Sequence, residues 1–285
     1  MPVAVVTDSS AYLPDGFASR HAVHVVPLHV LIDDCSGRDG VDIGPVEVAA
    51  ALTGRHAVTT SRPNPDEFSQ IYRRLLDQGA DGIVSVHLSR ELSGTWESAC
   101  LAAREIGVDT VRVVDSRTAV MGLGFSVLRA ATAAGGGADG AVVEEVAVAA
   151  AARTRTFFMV ETLEYLRRGG RIGSAAAFFG TALAVKPVLH VKDGHIVPLE
   201  KVRTTNRALA RLVDLAEAAA AETGADAVEL AVHHLAAHDR AVDLATRLDE
   251  RISSASGCVV SELGGAIGAH TGPGMLGVVV CPADR

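Results

Sequence analysis

Two periods of apolar residues succeed one another along the first half of the chain. Val3 to Val6 is a short apolar run ending in Asp8-Ser9-Ser10, and Val23 to Ile32 is a second, broken by Pro27. Both read as strands, being short, β-branched and bounded by turn residues. Between Pro65 and Gln78 the residues Phe68, Ile71, Tyr72, Leu75 and Leu76 form one helical stripe, and Gly79 marks its stop. Ile83 to Leu88 then predicts a strand, Thr95 to Ile106 a helix and Val111 to Val114 a strand, and a helix from about Arg117 runs into Gly135-Gly136-Gly137. Single helices between successive strands imply parallel pairing with right-handed crossovers, hence a Rossmann-like α/β layer.

After a helix predicted from Ala141 to Ala152 the pattern changes. Phe157 to Val160 reads as a strand, Thr162 to Arg168 as a short helix, and Gly169-Gly170-Arg171-Ile172-Gly173 as a glycine-rich turn. Val188 to Val191 and His195 to Leu199 flank Lys192-Asp193-Gly194, whose Asp-Gly pair signals a hairpin. A long Ala-rich helix from about Asn206 to Glu222, a strand from Ala227 to Val232, a helix from Asp239 to Ile252 and late strands around Val259 and Val279 follow. The expected architecture is α/β with two domains. Residues 1–155 are expected to form a parallel-sheet α/β domain and residues 156–285 an α+β domain.

Composition removes several functions. The 34 acidic and 26 basic side chains leave a net charge of -8, without the basic stripe that nucleic acid requires. The same excess disfavours an anionic membrane surface. No apolar stretch approaches the roughly twenty residues needed to span a bilayer, and the N-terminal run lacks the basic flank of a signal peptide. Cys35, Cys100, Cys258 and Cys281 lie far apart, so neither a zinc site nor a disulfide framework is expected, and the compartment is expected to be the cytoplasm. With 48% hydrophobic but only 4% aromatic residues, the core must be built from Ala, Val, Leu and Ile.

Three hydroxyl-bearing loops lie where a strand gives way to a helix: Thr7-Asp8-Ser9-Ser10, Thr59-Thr60-Ser61-Arg62-Pro63-Asn64-Pro65 and Ser89-Arg90-Glu91-Leu92-Ser93-Gly94-Thr95. Any one alone reads first as a helix N-cap. Together they favour an anion site, because α/β sheets bind ligands beyond their strand ends, near free helix amides. His270-Thr271-Gly272-Pro273-Gly274 reads as a turn whose imidazole can donate to an anion. Gly122-Leu123-Gly124 lacks the third glycine of a dinucleotide site, the Gly169 turn lacks a P-loop ending, and no G-x-S-x-G elbow exists. His234 and His238 lack the glutamate of a zincin.

Read in order, these residues resemble the DegV family, the fatty-acid-binding proteins that serve bacterial fatty-acid kinase. The resemblance rests on Thr7-Asp8-Ser9-Ser10 with Leu13-Pro14, Thr60-Ser61 with Pro63 and Pro65, Leu92-Ser93-Gly94-Thr95, and Asp115-Ser116. It continues through Glu164-Tyr165-Leu166-Arg167-Arg168-Gly169-Gly170-Arg171-Ile172-Gly173, Lys186-Pro187-Val188-Leu189, Gly194 with Ile196 and Pro198, Lys201-Val202-Arg203-Thr204, and His270-Thr271-Gly272-Pro273-Gly274.

The resemblance implies a binding protein with no catalytic residue, metal or cofactor of its own. It would hold one long-chain fatty acid in a tunnel between the domains, with the carboxylate on Thr60 or Ser61, Ser93 with Gly94, and His270. A partner kinase would phosphorylate that carboxylate to an acyl phosphate for phospholipid synthesis, with an acyltransferase as the next acceptor. Arg171 and Arg203 are the expected kinase contacts, and Leu163, Leu166, Phe178 and Phe179, flanking the glycine turn, are candidates for the tunnel wall. Two departures from the family pattern stand out: Arg62 where Gln is usual, and Arg90-Glu91 where Ser-Gly is typical. The alternative is an acyl hydrolase or acyl transferase using Ser93 with His270 as base.

Overall fold

The computed structural model describes residues 3–178 and 185–283. The first half runs β1 (Val3–Asp8), α1 (Phe17–Arg20), β2 (Val23–Val26), β3 (His29–Ile32), β4 (Cys35–Arg38), α2 (Pro45–Thr53), β5 (Val58–Ser61) and α3 (Pro65–Asp77). It continues with β6 (Gly82–His87), α4 (Thr95–Ile106), β7 (Val111–Asp115), α5 (Met121–Gly135) and α6 (Gly140–Arg153). The second half runs β8 (Arg155–Met159), α7 (Glu164–Arg168), β9 (Lys186–Lys192), β10 (His195–Val202), α8 (Thr205–Glu222) and β11 (Val228–His234). It ends with α9 (His238–Arg251), β12 (Ala255–Glu262), α10 (Gly265–Thr271) and β13 (Leu276–Pro282). No helix among the described residues is long and apolar enough to cross a membrane.

Three sheets result. A parallel four-stranded sheet has the order β2-β1-β6-β7, and a six-stranded sheet has the order β10-β9-β8-β13-β11-β12, antiparallel except where β11 meets β12. A small antiparallel sheet, β4-β3-β5, is inserted in sequence between β2 and β6 of the parallel sheet. Helices α3 and α4 cover one face of the parallel sheet and α5 and α6 the other, while α8 and α9 cover the outer face of the large sheet.

Strand alternation fills each layer. On the large sheet Phe157, Met159, Val278 and Val280 point toward α8 and α9. Their neighbours Phe158, Val160, Val279 and Cys281 point toward α5 and α10.

The structure refines the sequence reading in three places. Pro27, which has no amide proton to donate to a ladder, splits the second apolar run, and its two pieces join different sheets. The helix expected from Arg117 begins at Met121, because Arg117 and Val120 both take positive φ, 54° and 52°, in the turn before it. Residues 265–271, expected as a turn or left unassigned, form α10, so His270 lies in the last turn of a helix.

A buried hydrogen bond crosses the apolar layer between the halves: the Met121 amide donates to Nε2 of His233 at 3.1 Å. His233 is buried, and burial pushes its pKa down to about 3. The unfolded chain takes up this proton near pH 6.5 and the folded chain only near 3. Stability must therefore fall as pH drops below about 6.5. Urea unfolding should show a level midpoint above pH 7 and a decline between pH 6.5 and 5. In His233→Gln, which can still accept from Met121, the slope should flatten by about 1.4 kcal/mol per pH unit. Identical pH profiles for the two proteins would show that His233 takes no part.

Candidate functional site

Strand β5 presents Thr60 inward and Ser61 outward, as alternation requires, and Ser61 is exposed. Facing Thr60 is the last turn of α10, where His270 Nε2 lies 2.8 Å from Thr60 Oγ1. The other side of the imidazole rests on bare backbone. A Cβ on Gly169 would lie 2.0 Å from His270 Nδ1, so only glycine fits beneath the ring.

Burial, reinforced by the nearby Arg171 cation, pushes the His270 pKa down to about 4. The ring is therefore neutral at pH 7, and its buried Nδ1 has no hydrogen-bond partner. Both tautomers leave one proton without an acceptor. With the proton on Nδ1 it is the ring's own, and with the proton on Nε2 it is the hydroxyl proton of Thr60.

Ser93 sits on the neighbouring loop, just before α4. Its Oγ lies 2.9 Å from Thr95 Oγ1 and accepts from the Thr95 amide at 3.3 Å. Gly94 supplies no side-chain cap to α4, so beyond the Thr95 amide held by Ser93 the first turn of this twelve-residue helix has no side-chain cap. Two arginines fix the loop. Arg171 Nε donates to Leu92 O at 2.9 Å and its NH1 to Gly169 O at 2.6 Å. Arg62 donates to Gly94 O at 3.2 Å and Glu97 Oε2 at 3.0 Å. The residue that departs from the family pattern thus ties the Thr60-Ser61 segment to the Ser93-Gly94 loop.

The residues next to these polar groups are mostly apolar and face inward. Leu92, beside Ser93, and Thr271 and Ile267, beside and one turn before His270, line a slot with Val120, Phe158, Ile196, Met275 and other apolar residues, together with the polar Thr156 and His233. Its free volume is about 50 Å³, room for a few waters. On the outer side lies a cleft of about 710 Å³, lined by Thr59, Thr60, Tyr165, Arg168, Arg171 and His270 among others.

The remaining sequence candidates fall around this centre. Leu163 and Leu166 are buried in the same apolar cluster as Val120, Phe158 and Met275 but do not line the slot. Phe178 packs at the edge of that cluster with the Lys201 ammonium 4.3 Å from its ring centre. Phe179 lies outside the described residues. Arg203 is exposed, whereas Arg171 is partly buried beside His270.

The Thr7–Ser10 loop is structural. Asp8 binds Ser10 N at 3.1 Å, Leu88 N at 3.2 Å and His87 Nδ1 at 2.9 Å. His87 Nε2 in turn lies 2.7 Å from Ser85 Oγ, and all of these side chains are buried.

Sequence reasoning missed the slot residues Ala119, Val120, Ile267 and Met275. The available signal was their position one to four residues from a turn or a named polar group. No hydrogen bond joins Ser93 to His270 among the described residues, and the ring pairs with a hydroxyl where a general base would need a carboxylate to orient it.

The profile described as "Uncharacterised protein, DegV family" matches residues 2–283. A DegV domain-containing protein of Streptomyces coelicolor is 54% identical over 278 residues, covering 98% of each chain. A solved DegV family protein from Thermus thermophilus, described by its fatty acid binding, superposes with a TM-score of 0.93 at 35% identity, covering 99% of this chain and 100% of that one. DegV of Bacillus subtilis, described as a fatty acid binding protein, superposes with a TM-score of 0.88 at 32% identity and the same coverage. Matched along nearly its whole length in sequence and in structure, the chain belongs to the DegV family.

Proposed function

We propose that this protein binds one long-chain fatty acid and presents its carboxylate to a separate kinase, which forms an acyl phosphate for phospholipid synthesis. The observation that carries the reading is the Thr60–His270 pair, with a buried ring nitrogen left without a partner, next to a slot lined by Leu92 and Thr271. The fatty acid binding of the solved relatives from Thermus thermophilus and Bacillus subtilis supports it.

The two parts of such a ligand have different tasks. About fourteen methylenes at roughly 0.8 kcal/mol each contribute on the order of 11 kcal/mol gross. Each charge-assisted hydrogen bond to the carboxylate adds about 1.5–3 kcal/mol. The tail therefore sets affinity, and the hydroxyls, the imidazole and the α4 amides set register. Because the slot has only about 50 Å³ free, part of the tail's gain is used in parting its walls. The outer cleft of about 710 Å³ leaves the carboxylate reachable by another protein's phosphoryl donor, and the exposed Arg203 suits contact with that partner. An acyl hydrolase using Ser93 and His270 would need a histidine oriented by a carboxylate, and His270 is held by Thr60.

Native mass spectrometry of the purified protein should show one co-purified fatty acid, and a bare mass in every preparation would sink the lipid reading. In fluorescence titrations Thr60→Ala and Ser93→Ala should each bind fatty acid about tenfold to a hundredfold more weakly without unfolding. Binding unchanged in both would remove the head-group assignment. Arg203→Ala should retain its lipid yet lose acyl-phosphate formation with the cognate kinase; if lipid retention falls, Arg203 belongs to the pocket.

A further inference from the structure

Helix α10 is only seven residues long, about 10 Å at 1.5 Å per residue, and it carries both halves of the candidate site. His270 faces the polar centre, while Ile267 and Thr271 line the slot. Its own sequence gives it a poor start. The N-cap is Gly264, which offers no side chain, and Gly265 follows, a pair of low helical propensity.

The missing cap comes from elsewhere in the chain. Asp39, just after β4 and only 2% exposed, accepts from the Gly265 amide at 2.7 Å, and the Ala266 amide also faces the carboxylate. Its second oxygen accepts from Ser9 Oγ at 2.8 Å and Tyr12 OH at 3.2 Å. Tyr12 OH in turn accepts from the Ile267 amide at 3.2 Å. The first intrahelical bond, Gly268 N to Gly264 O at 2.8 Å, comes next. Every orphan amide of the first turn is thus held by Asp39 or Tyr12. The glycines make this possible, since a Cβ on Gly264 would lie 2.5 Å from Asp39 Oδ1.

The clasp joins distant parts of the chain. Ser9 and Tyr12 follow β1 of the parallel sheet, Asp39 follows β4 of the small sheet, and Ser261 of the large sheet donates to Tyr12 O at 3.0 Å. The far end of α10 is tied by His270 to Thr60, again on the small sheet. A helix this short behaves as a rod, so its tilt at Gly265 is delivered to His270.

We propose that Asp39 is a positioning residue for the carboxylate site, acting through α10 chiefly on His270, since most of the slot wall comes from elements other than α10. The proposal rests on the fatty-acid reading and adds to it a residue that touches no ligand.

The test uses two fluorescent probes, cis-parinaric acid and its methyl ester, which share a tail but differ in the carboxylate. Asp39→Asn should weaken the acid about tenfold and the ester less than twofold, and should shift the His270 imidazole ¹⁵N resonances in the ligand-free protein. Tyr12→Phe, a milder change that removes one bond each to Asp39 and Ile267, should show the same split at about threefold. Equal weakening of acid and ester would make Asp39 a general prop of the fold and overturn the proposal, as would unchanged acid binding with unmoved imidazole resonances. Wild-type protein that takes up neither probe would overturn the lipid reading on which the proposal rests.

Discussion

An unpaired polar group buried in an apolar layer costs on the order of 1–3 kcal/mol, and the layer between α5, α10 and the large sheet holds several that cannot reach water. Its short aliphatic side chains pack well but offer no hydrogen bonds. The amides at the start of α10 find Asp39 and Tyr12, the Met121 amide finds His233, and His270 finds Thr60. Each partner comes from a distant part of the chain, so satisfying these groups also fixes how the sheets stand to one another. Two imidazole nitrogens among the described residues are left over: Nδ1 of His233, which lines the slot, and Nδ1 of His270, next to the slot residue Thr271.

The elements that were legible in the sequence are those whose apolar pattern is self-contained. Helix α3 shows its stripe and its cap in a single window, Asn64 with Glu67 forming a capping box. The hairpin of β9 and β10 shows its Asp-Gly turn. The small sheet was not legible, because β4 is Cys-Ser-Gly-Arg and exposed, with neither alternation nor β-branched residues to mark it. Helix α10 was hidden for a related reason: its glycines argue for a turn, and the carboxylate that makes it a helix lies more than two hundred residues away.

The site divides along the same line. Thr60, Ser93 and His270 could be named from motifs, and Thr60 and His270 meet in the fold. Alternation then separates Thr60 from Ser61, which a motif alone could not do. The slot had no local signature, since Val120, Phe158, Ile196 and Met275 read as ordinary core until the topology sets them around one space. Arg62 could be recognised as a departure, but its consequence, a tether between two loops, depends on where Gly94 and Glu97 come to lie.

The narrowness of the slot bears on time as well as affinity. Under the proposed function, walls in contact around about 50 Å³ of free space make both loading and escape of the acyl tail wait for the packed side chains to separate. For a carrier this makes residence a property of the protein's own fluctuations. Cargo would then stay aboard through many chance encounters with membranes or other proteins, and the empty carrier would offer water little bare hydrocarbon between deliveries.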